Sequence, residues 1–239
     1  MKTERLDKFI SANTTYTRSD CRKLIYTGRV SVNGSNKVKI DTKVNPESDV
    51  VLLDSLPISY KKFVYFLLNK PKGVLSACND KNKKTVVDLL SENDRIKEVF
   101  PIGRLDKDTT GLLLLTNDGE TAHKIIAPKS KIEKSYLVTL DGNINDENIE
   151  LFKNGVTLAD GTLCKPAILE YVAENKARII IIEGKYHQVK RMFGVIGLGV
   201  IDLHRERIGN LVLPQNLKIG EYCEISCEDV KKWVFVNKS

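Results

Sequence analysis

Asp106 and Arg104 stand two residues apart in Gly103-Arg104-Leu105-Asp106-Lys107-Asp108-Thr109-Thr110-Gly111, a polar stretch holding two carboxylates and an arginine. A carboxylate kept ionised by a nearby cation can act as a nucleophile or a base. The same pair can equally be a structural contact in a tight turn. Tyr136, in Lys134-Ser135-Tyr136 at the head of an apolar stretch, has a π-face on which a nucleobase could stack. A lone tyrosine is more often an ordinary core or edge aromatic. In Glu183-Gly184-Lys185-Tyr186-His187-Gln188-Val189-Lys190-Arg191 a glycine turn leads into a helix carrying His187, Lys190 and Arg191 in its first turns. His187 and Lys190, three apart, share a face. That helix start is either an anion site suited to phosphate or a solvated basic face. Asp106 and Asp108 could hold magnesium, but two carboxylates without a phosphate-binding loop are weak support for it.

These residues need rigid elements behind them. Leu112, Leu113, Leu114 and Leu115, bounded by Gly111 and by Asn117-Asp118-Gly119, suit a strand buried on both faces. A loop pinned to the end of such a strand holds a reactive side chain firmly. Residues 63–68 read as a second strand, closing on the turn Asn69-Lys70-Pro71-Lys72-Gly73. Residues 85–98 read as helical, and residues 119–126 as a helix ended by Pro128. Further strands are expected over 136–140, 167–172, 177–182, 200–203 and 222–225, with helices over 146–153 and 188–196. His204-Arg205-Glu206-Arg207-Ile208-Gly209 reads as a salt-bridged strand end. Many strands joined by short turns argue for an α+β domain with a largely antiparallel sheet.

Upstream, residues 1–56 have a different character. Residues 5–10 carry apolar positions at helical spacing, and Thr17-Arg18-Ser19-Asp20 offers an N-cap for a second helix that stops at Gly28. Val30-Ser31-Val32-Asn33-Gly34 reads as a strand ending in a turn, and residues 50–53 as another strand. Arg5, Lys8, Arg18, Arg22, Lys23 and Arg29 recur over these elements, giving the module a basic face. Residues 57–62 read as a linker, and residues 63–239 as the larger domain.

The net charge of +7 over 239 residues is uneven: residues 1–40 hold nine Lys/Arg against three Asp/Glu. Concentrated positive charge points to a polyanionic partner, most often nucleic acid. A hydrophobic share of 41% supports real cores. No apolar run is long enough to span a membrane and the N-terminus has no signal-peptide core, so a cytoplasmic location and no membrane partner are expected. Five scattered cysteines and three scattered histidines match no metal pattern, so a reduced, metal-free protein is expected. Dinucleotide, phosphate-loop, serine-hydrolase and zinc-protease motifs are missing. Nothing in the sequence demands a dimer, and a monomer is expected.

Residues 103–119 closely resemble the signature of the RsuA-type pseudouridine synthases: Gly-Arg-Leu-Asp, then Thr-x-Gly, an apolar run and Asn-Asp-Gly. Residues 1–56 look like an S4-like RNA-binding domain, although Asn13-Thr14-Thr15-Tyr16 lacks the glycine usual before its Ser/Thr-Arg. The resemblance covers essentially the whole chain. It implies a small RNA-binding domain joined to an α+β catalytic domain with a mixed, largely antiparallel sheet, and a reaction needing no cofactor: isomerisation of a flipped-out uridine of RNA to pseudouridine. It implies Asp106 as the essential aspartate, Tyr136 as the tyrosine that stacks on the target base, Lys190 as the cation beside Asp106, and Arg104 as fixing the loop and holding the gap left by the base. RNA contacts are expected from Arg5, Lys8, Arg18, Ser19, Arg22, Lys23, Arg29, Lys70, His187, Gln188 and Arg191.

Residues 187–193 and 203–209 look like the branch acting on small-subunit rRNA, of the pseudouridine-516 type. Relatives acting on large-subunit rRNA commonly carry Asn-Arg in place of Tyr186-His187. Two other classes compete. A non-catalytic rRNA-binding assembly factor would share the basic N-terminus but has no use for the Asp106, Tyr136 and Lys190 set. A glycosidase-like hydrolase would need two facing carboxylates, and only Asp108 is close to Asp106 in sequence.

Overall fold

In the computed structural model, which describes residues 3–127 and 129–235, α-helices begin at side-chain caps at Thr17, Ser91, Asp118, Asn145 and Ser226. The chain divides into two units, Met1–Phe63 with Leu90–Val99, and Val64–Leu89 with Phe100–Ser239. The first contains β1 (Glu4–Arg5), α1 (Leu6–Asn13), α2 (Arg18–Tyr26), β2 (Val30–Val32), β3 (Lys43–Val44), β4 (Val51–Leu53) and β5 (Leu56–Pro57). The Thr17 side chain caps α2 by accepting the Asp20 backbone N–H. Gly28, at φ 74°, supplies the left-handed residue that stops this helix. Leu6, Phe9 and Ile10 of α1 pack with Cys21, Leu24 and Ile25 of α2 over Val30 and Val51. The expected linker begins later than residue 57, because Leu56–Pro57 pairs antiparallel with β4.

Residues 85–98 are not one helix. A 3-10 turn at Val87–Leu89 is followed by the single-turn α3 (Glu92–Arg95). Two caps interrupt the run: the Asp88 carboxylate accepts from the Thr85 N–H and hydroxyl, and Ser91 accepts from the Asp94 N–H. Residues 90–99 consequently group with the first unit.

The second unit is built on β6 (Tyr65–Lys70), β7 (Phe100–Pro101), β8 (Thr110–Thr116), β9 (Lys134–Leu140), β10 (Ile168–Ala173), β11 (Lys176–Ile181), β12 (Val200–Ile208), β13 (Leu211–Val212) and β14 (Tyr222–Ile225). Its helices are α4 (Gly119–Ile126), α5 (Asp146–Asn154), α6 (Gln188–Val195) and α7 (Cys227–Val234). The expected stop of α4 at Pro128 lies outside the described residues. The strands form one mixed sheet in the order β10-β11-β9-β12-β8-β6-β14, with β13 on β12 and β7 on β8. Every residue of β8 is buried, as the leucine run demands. Asp118 caps α4 through the N–H groups of Glu120 and Thr121, and accepts the Tyr65 hydroxyl at 2.5 Å.

Two halves of this sheet meet at β8 and β12, the parallel pair, through His204↔Thr110 and Arg205↔Gly111. Gly111 sits at φ 100°, and a Cβ there would lie 2.3 Å from the Arg205 carbonyl oxygen. Only glycine permits that approach. The loop before Gly111 is thereby set at the junction of the two halves. Helix α7 escapes the sequence reading. Ser226 caps it, accepting the Asp229 N–H, and Val230 and Val234 complete the core beneath β6 and β8. Among the described residues no helix is long and apolar enough to cross a membrane.

Candidate active site

The loop before β8 is pinned from both sides. The Thr109 N–H donates to the Asp106 carbonyl at 3.1 Å, closing a turn over residues 106–109. Ser76 and Leu105 exchange hydrogen bonds at 2.8 and 3.1 Å, and the Gly73 N–H reaches the Lys107 carbonyl at 2.8 Å. Lys70 completes the anchor. Its Nζ donates to the carbonyls of Pro71, Lys107 and Thr109 at 3.0, 3.3 and 3.0 Å. The side chain is fully buried, so the expectation of a phosphate contact from Lys70 is corrected: the ammonium is spent on the loop. Burial lowers it to about 8, against the pull of Asp108 and Asp106.

Facing the loop is the turn from β11 into α6. Gln188 is buried, its Nε2 donating to Glu183 Oε1 at 2.9 Å while its Oε1 accepts the Lys185 N–H at 2.9 Å. It clamps the turn, which corrects the expectation that Gln188 meets RNA. His187 precedes α6 in the left-handed region at φ 46°. This places its Nε2 3.5 Å from Asp106 Oδ1.

Lys190 corrects a third expectation. Its Nζ donates to Asp108 Oδ2 at 2.6 Å rather than to Asp106, and that hydrogen bond holds the Asp108 carboxyl below its usual range. Arg104 is exposed and forms no ion pair with Asp106. Of the expected basic residues, it is therefore His187 whose side chain comes within ion-pair distance of the candidate nucleophile. Arg191 is committed elsewhere, to Asp160 at 2.5 Å and to the Tyr186 carbonyl at 3.4 Å.

Arg104, Asp106, Thr109, Tyr136, His187 and Lys190 line one cleft, with Ile181 and Leu203 supplying apolar wall. Tyr136 is mostly buried, and its hydroxyl accepts from Arg205 Nη1 at 3.4 Å. Arg205, expected only as part of a salt-bridged strand end, is instead buried, and its Nε donates to the Leu112 carbonyl at 2.7 Å. It thus ties the tyrosine strand β9 to the strand that carries the Asp106 loop. The rest of the expected salt-bridged strand end holds: Arg178 pairs with Glu206 at 3.0 Å, and Arg207 with Glu133 at 3.2 Å.

The geometry is a rigid aspartate beside a buried tyrosine in a cationic cleft. Residues 64–194 match the family described as RNA pseudouridylate synthase. The chain belongs to that family. It is 41% identical over 228 residues to ribosomal small subunit pseudouridine synthase A of Escherichia coli, spanning 95% of this chain and 98% of that protein. It is 38% identical over 230 residues to YtzG of Bacillus subtilis, described as an uncharacterized RNA pseudouridine synthase, spanning 95% and 96%. A crystal structure of a pseudouridylate synthase superposes with a TM-score of 0.68 at 36% identity, over 97% of this chain and all of that one.

The basic residues of the first unit that were expected to contact RNA are for the most part paired with acids. Arg5 donates to both oxygens of Asp7 at 3.0 and 3.2 Å, Arg22 lies 3.5 Å from the same carboxylate, and Arg18 acts on it electrostatically. Arg5 and Arg22 therefore converge, within the field of Arg18, on one buried acid that the sequence reading passes over. An acid two residues after Arg5, in the first turn of α1, was the available signal. Lys8 pairs with Glu4 at 3.5 Å and Lys23 with Asp20 at 4.0 Å. Arg29 makes a two-point pair with Asp54. Arg18 and Ser19 are exposed at the start of α2.

Proposed function

We propose that this synthase converts a uridine of small-subunit rRNA to pseudouridine, of the 516 type, with Asp106 as the nucleophile. The observation that carries the chemistry is Asp106 itself. Its loop is fastened by Lys70, Ser76 and Gly73, yet among the described residues His187, at 3.5 Å, is the one ion-pair contact of its carboxylate. The target base flips into the cleft and stacks on Tyr136, at a cost of a few kcal/mol that backbone contacts offset. The N1–C1′ bond breaks, the uracil turns, and a C5–C1′ bond forms. C5 loses its proton and N1 gains one, so the reaction is an isomerisation without a cofactor. Arg104, exposed at the cleft, occupies the gap left by the base.

The small-subunit target is supported by 41% identity, over nearly the full length of both chains, to the Escherichia coli protein of that name. The first unit serves as the S4-like RNA-binding module, with Arg5, Arg18, Arg22, Lys8, Lys23 and Arg29 meeting phosphate in the cytoplasm as rRNA emerges or assembles. Mapping pseudouridine over both rRNAs after incubation with the protein and with Asp106→Asn tests the whole reading. One new small-subunit position, absent with the variant, is expected. A large-subunit position would overturn the target and keep the chemistry; no position in free or partly assembled subunits would leave an RNA-binding assembly factor. Affinity for the RNA should fall steeply with salt as counterions are released, and a flat salt titration would contradict phosphate-led binding.

A further inference from the structure

Tyr186 is 75% exposed, between Lys185 and His187, which line the cleft. Its ring lies 3.9 Å from the ring of His187, centroid to centroid, with 16° between the planes. Neighbouring residues in extended chain point to opposite faces. Here the positive φ of His187, 46°, turns both rings to one side. A non-glycine residue in that region costs energy and persists only where its surroundings hold it. The surroundings do hold it: Gln188 clamps the turn through Glu183 and the Lys185 N–H, Arg191 Nη1 reaches the Tyr186 carbonyl, and the Arg191 N–H donates to the His187 carbonyl at 3.0 Å. The result is a rigid two-ring stack. Its inner member stands 3.5 Å from Asp106 and its outer member presents a face to solvent.

A large aromatic left in water gains nothing from folding. One that continues a ring stack outward from a base-accepting cleft is a platform for another base. We propose that Tyr186 stacks on the nucleobase of the nucleotide adjacent to the target uridine, with His187 as its fixed backing, and so holds the strand while the uridine is flipped. The inference rests on the synthase reading of the cleft. Its ligand is an unpaired base of RNA, recognised by its π-face, so the platform tolerates sequence while contributing affinity. It asks nothing of Tyr186 in the bond-making steps.

The test is steady-state pseudouridine formation on a small-subunit rRNA segment carrying the converted uridine, using the full chain, Tyr186→Ala and Tyr186→Phe. Stacking on one aromatic is worth about 1–3 kcal/mol, so Tyr186→Ala should raise KM about tenfold or more. The turnover number should stay within about twofold, and the melting temperature should not move because the ring is exposed. Tyr186→Phe, which keeps the ring, should restore KM. Placing 2-aminopurine beside the target uridine should give fluorescence quenched by the full chain and by Tyr186→Phe, and unquenched by Tyr186→Ala. An unchanged KM in Tyr186→Ala, or a Tyr186→Phe variant as weak as alanine, overturns the platform and leaves the synthase intact. A full chain that converts no uridine overturns the synthase reading and the platform with it.

Discussion

Asp7 and Asp106, one in each unit, are both carboxylates beside basic side chains, and the protein treats them oppositely. Asp7 is sealed, with 1% of its side chain exposed, paired with Arg5 and Arg22 and within the field of Arg18. Burial alone would raise its carboxyl, but the Arg5 hydrogen bond and charge, with Arg18 and Arg22, bring it below the usual range. Asp106 keeps 29% of its side chain exposed and has one imidazole at 3.5 Å, outside good hydrogen-bond range. A carboxylate whose lone pairs are fully used organises structure. One fastened through its backbone, with its oxygens spare, is free to react. The difference lies in where the fastening is made: at the side chain in α1, at the main chain in the Asp106 loop.

Removing Asp106 should separate the two roles most sharply. Asp106→Asn is isosteric and breaks no strong bond, so the melting temperature should hold while pseudouridine formation falls by about 10³-fold or more, as expected when a nucleophile is lost. Retained activity in this variant would end the nucleophile assignment. Asp7→Asn should do the reverse. Its arginine partners are about half exposed, so the loss is smaller than for a fully buried pair, about 1–3 kcal/mol of stability in the first unit. Turnover at saturating RNA should be unchanged. Because the folded carboxyl is depressed, its contribution is present above about pH 3.9, the unfolded value, and is lost as pH falls through the lowered folded one. A denaturation series from pH 7 to pH 2 that shows no steeper acid loss in the parent than in Asp7→Asn would contradict this.

Much of this was legible in sequence, for identifiable reasons. The leucine run could only be a doubly buried strand, and the Thr17 cap and Gly28 stop made α2 readable, because each signal is local. Asp106 and Tyr136 were legible as a set only through the motif. Three things were not. The partner of Lys190 depends on which way the 106–109 turn aims its carboxylates, and helical spacing says nothing of that. The burial of Lys70 depends on carbonyls of Lys107 and Thr109, contributed by a loop far along the chain. Arg205 sits among alternating charges in His204-Arg205-Glu206-Arg207, a pattern that reads as solvent-facing, yet the β8–β12 junction turns it into the core.

Lys70 extends the comparison to fastening from beneath. Its buried ammonium is at about 8, below the roughly 10.4 of an unfolded lysine. The unfolded chain thus binds the extra proton between those values, and stability rises with pH across that window. Activity should run the other way. As the ammonium neutralises, the loop loses a donor and the cleft loses a charge near Asp106, so turnover should decline above about pH 8. Lys70→Met should lower turnover about tenfold at pH 7, leaving carbonyls unpaired at a cost of about 1–3 kcal/mol. It should also abolish the decline. An alkaline limb that survives in Lys70→Met would show that another group sets it.

The smallest effect expected concerns the neighbouring carboxylate. Asp108, 66% exposed, holds Lys190 at 2.6 Å, away from the acid that a cation would best support. An exposed pair of this kind is worth at most about 1 kcal/mol, so it restrains Lys190 weakly. Asp108→Asn should free the ammonium to swing toward Asp106 and raise kcat/KM by about two- to fivefold at low salt. The gain should shrink as salt screens the original pair. Lys190→Met should cancel the gain in the double variant, because the benefit travels through that one side chain. If Asp108→Asn instead lowers kcat/KM and Lys190→Met leaves that loss unaltered, Asp108 serves the loop directly, and the contrast between a committed and a spare carboxylate would have to be redrawn inside the site itself.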